Sequence, residues 1–253
     1  MRSEPGARGE DGLSGAVFPR LLVSVRSAEE AREALRGGAE IIDIKEPSDG
    51  SLGAAAPAVR AEIVREVAGE SPVTAALGEL GTLASGWRLE HQCGISLYKL
   101  GLSGTSRSDW QNLLERARRR IQEGSEGEAD LVAVAYADWQ QAACPEPASL
   151  LDYAIDRGFS HFLVDTFDKS AGGLSEFFQW SELAALCERA RRGGLCFVAA
   201  GSLRAGQLGA AAEAGVDVIA VRGAATLGVR TAAIDRRAVS ELTEGIRAAL
   251  NPG

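Results

Sequence analysis

From Arg20 onward the chain alternates between two hydrophobic rhythms. The short apolar, β-branched runs are RLLVSV from 20, EIIDI from 40, PVTAAL from 72, SLYKLG from 96, DLVAVAY from 130, HFLVD from 161, LCFVAAG from 195 and DVIAV from 217. Each reads as a strand. Between them, SAEEAREALRGG, APAVRAEIVREVAG, RSDWQNLLERARRRIQ, EPASLLDYAIDRG, WSELAALCERARRGG and RAGQLGAAAEAG repeat apolar residues three or four apart. That is amphipathic-helix spacing, and several of these segments close on a Gly suited to a C-cap. A final helix begins near Asp235, whereas GTLASGWRLEHQCG, after the third strand, is too short and Gly-rich for a clear helix. Strands alternating with helices pair in parallel through right-handed crossovers, so eight such units predict an α/β fold, a single (β/α)8 TIM barrel over residues 19–253. A doubly wound open sheet is the rival, but no GxGxxG or Walker-type loop follows any strand. Residues 1–18 carry glycine and charge without the apolar core of a signal peptide and read as a flexible tail.

Composition narrows the function without naming it. At 253 residues and 45% hydrophobic content the chain can bury a full core, and its formal charge of -8 offers no basic field to nucleic acid or anionic lipid. No apolar run approaches the ~18 residues that span a bilayer. Cys93, Cys144, Cys187 and Cys196 lie far apart with no CxxC pair, and His91 and His161 are the only imidazoles. This pattern predicts reduced thiols in a cytoplasmic protein with no metal site. Apolar residues on the outer helices of a barrel predict a homo-oligomer.

The cations are more informative. Of 27 Lys and Arg residues only Lys45, Lys99 and Lys169 are lysine. Arginine keeps its proton near neutral pH, whereas a desolvated lysine becomes a nucleophilic amine. In a barrel, chemistry gathers at the C-terminal strand ends, and all three lysines fall there, with Asp43, Glu79, Asp165 and Arg222. Alternation along the second strand puts Asp43 and Lys45 on one face and Ile42 and Ile44 on the other. The isoleucines belong against the helices, so the charged pair faces the barrel mouth. Strands two, four and six are all even, and alternate strands fill one interior layer, which predicts that Lys45, Lys99 and Asp165 converge. Two amines and nearby carboxylates suit Schiff-base chemistry, one amine bonding and the other moving protons. A plain set of buried salt bridges would use the same residues.

After strands seven and eight come AAGSL and VRGAA, where barrels commonly hold phosphate on backbone N–H groups. Gly201, Ser202, Gly223 and Ala224 are the candidates, with the Arg222 guanidinium as a further contact. Tight turns that need small residues for geometry alone are the alternative. His161 reads as a strand-start residue.

The segments LLVSVRSAEEAREALRGGAEIIDIKEPSDGSLGA, LYKLGL, VAVAYAD, LVDTFDKSAGGL, AGSL and VDVIAVRGAA resemble, in order and spacing, the (5-formylfuran-3-yl)methyl phosphate synthases. The likeness spans about residues 20–248, and DIK-x-P-x-x-GSLGA is its most specific part. It implies that two molecules of glyceraldehyde 3-phosphate, a triose phosphate, condense into a phosphorylated furan for methanofuran biosynthesis, releasing phosphate and water. It further implies that Lys45 forms the Schiff base and Lys99 accepts the proton, with Asp43, Asp165 and Lys169 in support and no organic or metal cofactor. This chain departs from the archaeal pattern in its charged N-terminal extension, in Glu79 and in the TLGVRTA loop that carries Arg230. A class I aldolase of a sugar phosphate and a non-catalytic phosphometabolite-binding barrel remain alternatives.

Overall fold

The computed structural model describes residues 19–83, 86–107 and 109–250. The expected tail, residues 1–18, lies outside the described residues. The eight apolar runs form β1 (Arg20–Val25), β2 (Ile41–Ile44), β3 (Val73–Glu79), β4 (Ile95–Gly101), β5 (Asp130–Tyr136), β6 (His161–Asp165), β7 (Cys196–Ala199) and β8 (Val218–Val221). All pair in parallel, and β8 returns to β1, so the sheet closes as a (β/α)8 barrel. Closure removes both sheet edges, which is why such short strands suffice.

The helices are α1 (Ala28–Arg36), α2 (Pro57–Val67), α3 (Trp110–Gly124), α4 (Trp139–Ala142), α5 (Pro147–Asp156), α6 (Leu174–Phe177), α7 (Trp180–Arg192), α8 (Leu208–Glu213) and α9 (Arg236–Leu250). Ser27 caps α1 by accepting the Glu30 N–H, and Pro57 and Pro147 open α2 and α5 at positions where no backbone donor is lost. Ile63 and Val67 of α2, and Leu114, Ala117 and Ile121 of α3, are buried at helical spacing against the sheet. Ile42 and Ile44 are fully buried, as their outward parity requires. Between β3 and β4 the described residues hold only a 3-10 turn, Leu80–Thr82, and irregular chain, in keeping with the Gly-rich sequence there. None of the described helices is long and apolar enough to cross a membrane.

Arg222 locks the barrel seam. Its guanidinium donates to the Glu30 carboxylate of α1 at 2.8 and 3.2 Å, to Ser24 O of β1 at 2.8 Å, and to Arg230 O and Ala232 O at 2.6 and 3.2 Å. These five bonds use every donor the group owns. Arg222→Ala would take from the buried Glu30 carboxylate its buried cation, leaving it the Arg26 N–H and the partly exposed Arg26 guanidinium, and breaking a buried pair costs up to roughly 3–5 kcal/mol. Urea unfolding is expected to show a drop of that size; an unchanged midpoint would mean that Arg222 is not committed to Glu30.

Candidate active site

At the C-terminal face the strand ends enclose a cavity of about 360 Å³ bordered by Ser24, Asp43, Lys45, Lys99, Asp165, Lys169 and the turns at 200–205 and 220–224. In-register neighbours in a parallel sheet face the same side, and Asp43 pairs with Ser24 of β1 and Thr74 of β3. Both hydroxyls donate to its carboxylate, at 2.9 and 2.8 Å, while Lys99 closes an ion pair on Oδ1. The inner layer therefore draws on β1 and β3 as well as on the even strands.

A second pair stands across the mouth. Lys169 bonds Asp165 Oδ1 and lies 3.0 Å from the Thr166 hydroxyl. Ser51, carried by the chain after β2, sits 2.9 Å from Asp165 Oδ2 and 2.8 Å from Thr166 O. That crossing from residue 51 to 165 depends on Gly53, because a Cβ there would fall 2.1 Å from the Glu46 carbonyl. Buried Asp138 accepts the N–H groups of Phe167 and Asp168, at 2.7 and 2.8 Å, and so shapes the loop that presents Lys169.

Lys45 lies between the two pairs and differs from both. It has no ion-pair partner among the described residues, and its Nζ makes one long hydrogen bond, 3.4 Å, to Ser51 O. Burial pushes its ammonium down to about 8; Asp165 and Asp43 oppose that fall, and Lys169 and Lys99 reinforce it. The aspartates move the other way. Burial favours the neutral acid at Asp165, but Lys169 and Lys45 outweigh it and hold the carboxyl at about 2. Asp43 is likewise lowered, burial being overcome by Lys99 and Lys45. Every oxygen of both carboxylates already meets an ammonium, a hydroxyl or an N–H, so neither presents free oxygens to a divalent ion.

The two glycine turns border the same cavity. Among the described residues the N–H groups of Ser202, Leu203, Gly223 and Ala224 take no protein acceptor. Gly201 has φ +97° and Ser202 φ 52°, so two successive residues adopt left-handed backbone and form a concave run of amides suited to an anion. The Arg222 side chain, expected as a further contact, borders the cavity with all five of its donors engaged within the protein. Half-buried Arg230 borders the cavity as well, bonded to Gly50 O at 3.2 Å. Ser24, Ser51 and Thr74 are the site residues that sequence reasoning missed, and Arg230 was marked only by its place in the divergent TLGVRTA loop. Small hydroxyls on strands carry no sequence signal; Ser51, inside the GSLGA motif, was the one within reach. Glu79 points away, bonded to the Tyr136 hydroxyl and the Ser103 N–H.

A larger cavity of about 590 Å³ opens at the opposite, N-terminal face. Leu22, Leu97, Val132, Leu163, Val198 and Val218 line it, together with Arg20, His161, Arg191 and Asp217, and it holds neither Asp43 and Asp165 nor Lys45 and Lys169. The smaller, polar cavity is the better site, and Lys99 borders both.

The 4-HFC-P synthase family model matches residues 21–243. The chain belongs to this family. A (5-formylfuran-3-yl)methyl phosphate synthase from Methanopyrus kandleri is 35% identical over 211 residues, covering 82% of this chain and 89% of that protein. The enzyme of that name from Methanothermobacter thermautotrophicus is 34% identical over 231 residues, covering 88% and 97%. Membership in the 4-HFC-P synthase family makes the protein an enzyme. Among solved structures, the thiamine phosphate pyrophosphorylase of Pyrococcus furiosus superposes with a TM-score of 0.60 at 16% identity, covering 93% of this chain and 98% of that one. That likeness speaks to the barrel alone.

Proposed function

We propose that the enzyme joins two molecules of glyceraldehyde 3-phosphate into (5-formylfuran-3-yl)methyl phosphate through an imine on Lys45, for a methanofuran-type cofactor. The observation that carries this reading is Lys45 itself, a buried amine brought to about 8 and left without a carboxylate partner between two lysines that have one. The names of the family and of its relatives support the product, and the triose phosphate substrate is what the sequence resemblance implies.

The neutral amine adds to the aldehyde carbon of the first triose, and loss of water leaves a protonated imine. That cation acidifies the neighbouring C–H, and removal of the proton gives an enamine. The enamine carbon attacks the aldehyde carbon of the second triose, forming the new C–C bond. Lys99, held on Asp43, delivers and removes protons, and Asp165 with Lys169 serves the oxygens that leave. A hydroxyl of the second triose then closes the ring on the imine carbon and displaces the Lys45 amine. With loss of a second water, two triose phosphates become one furan phosphate, one orthophosphate and two waters, and the balance needs no redox partner. The free amides at 202–203 and 223–224, with Arg230, receive the phosphates in this reading, because oxyanions sit well on unpaired N–H groups.

Purified enzyme incubated with glyceraldehyde 3-phosphate alone is expected to yield the furan phosphate and one equivalent of orthophosphate, read by mass spectrometry and phosphate assay. An acyclic aldol product would replace the proposal with an aldolase. Binding without turnover would leave a phosphometabolite-binding barrel.

A further inference from the structure

We propose that His91, Cys93 and Glu128 form a zinc site on the N-terminal side of the barrel, which clips the end of the β3–β4 connection to the turn before β5. This inference is independent of the reaction assigned above. His91 and Cys93 lie just before β4, which starts at Ile95, and Glu128 lies just before β5, which starts at Asp130. The imidazole, thiol and carboxylate each offer one ligand atom, and these atoms all lie within 4.8 Å of one another.

The separations suit zinc. His91 Nε2 is 3.3 Å and Cys93 Sγ 3.6 Å from Glu128 Oε2. With bonds of about 2.0–2.1 Å to nitrogen or oxygen and about 2.3 Å to sulfur, tetrahedral ligand atoms lie roughly 3.3–3.6 Å apart. One imidazole, one thiolate and one carboxylate are ligands zinc takes readily, with a fourth position for water.

The imidazole is also held for the task. Its Nδ1 lies 3.1 Å from the hydroxyl of Tyr98, whose ring is fully buried in β4, and that hydroxyl also accepts the Gln92 N–H at 3.3 Å. A proton on Nδ1 given to Tyr98 frees the Nε2 lone pair towards Glu128. Metal-bound histidines usually have their other ring nitrogen anchored in this way. Glu126 adds further negative charge near Cys93. On binding, the Cys93 thiol gives its proton to solvent and the thiolate joins the metal.

The fold supplies the reason for such a clip. Where other strand connections are covered by a helix, the 83–94 segment has irregular chain in its described part and few backbone bonds of its own. In barrels the N-terminal face governs stability and the C-terminal face chemistry. The metal is therefore expected to move stability and leave the active site as it is.

The test strips the full-length protein with a chelator and titrates Co²⁺ and Zn²⁺ alone. One equivalent of Co²⁺ should raise a thiolate-to-cobalt charge-transfer band, Zn²⁺ should displace it, and Zn²⁺ should raise the melting temperature. Cys93→Ser, a change at an exposed position, should remove both the band and the Zn²⁺-dependent rise. Tyr98→Phe should weaken binding about 10–100-fold while keeping the band, since it removes only the anchor. The proposal is overturned if wild-type protein takes up neither ion, or if Cys93→Ser binds them as wild type does. Equal affinity in Tyr98→Phe would overturn the anchoring role.

Discussion

Lys45→Ala is expected to abolish furan formation, by on the order of 10⁴-fold or more, since removing a covalent nucleophile leaves only binding and solvent chemistry. The fold should survive, because Asp43 and Asp165 keep their own partners in Lys99 and Lys169. Borohydride added with glyceraldehyde 3-phosphate should trap an adduct on Lys45 in the wild type and none in the variant. Peptide mapping that places the adduct on Lys99 or Lys169 would reverse the roles. The pH profile of trapping has a definite sign. A folded pKa of about 8 lies below the ordinary lysine value, so the neutral, reactive amine accumulates as pH rises and levels off above about 8. An unperturbed lysine would keep gaining reactivity up to about 10.4. Initial trapping rates that still climb steeply beyond pH 9 would mean that burial does not tune this amine.

Lys99→Arg is expected to separate proton transfer from ion pairing. Arginine preserves the charge opposite Asp43, and the apolar cavity beneath Lys99 leaves room for the larger head group, so thermal stability should stay close to wild type. Arginine does not give up its proton at working pH. A positioned acid or base contributes about 10²–10⁴ in rate, so furan formation should fall at least about a hundredfold while the Lys45 adduct still forms. Single-turnover measurements would show an adduct that accumulates without product. Turnover within a factor of a few of wild type would pass the proton role to Asp165 or Lys169.

The large terms of this protein were legible in one dimension. Hydrophobic periodicity depends on local backbone geometry, so EIIDI declares both its strand and the side on which Asp43 and Lys45 lie. Eight alternations point to parallel pairing, and without a dinucleotide-type loop to favour an open sheet they predict the closed barrel that carries Lys45, Lys99 and Asp165 to one mouth. Scarcity of lysine marked Lys45, Lys99 and Lys169 before any contact was known. Contacts between strands far apart in the chain were another matter. Ser51 meeting Asp165 across 114 residues, and Arg222 turning to Glu30 across 192, follow from the stagger of the closed barrel and the path of its loops, which no periodicity encodes. Arg222 shows the consequence. Its position at a strand end was readable, but only the packed structure, by supplying acceptors for all five of its donors, made it a lock for the seam. Likewise, which of three strand-end lysines is left unpaired depended on which carboxylates lie within reach. That is a matter of ångströms between separate strands, and tertiary structure alone decided it in favour of Lys45.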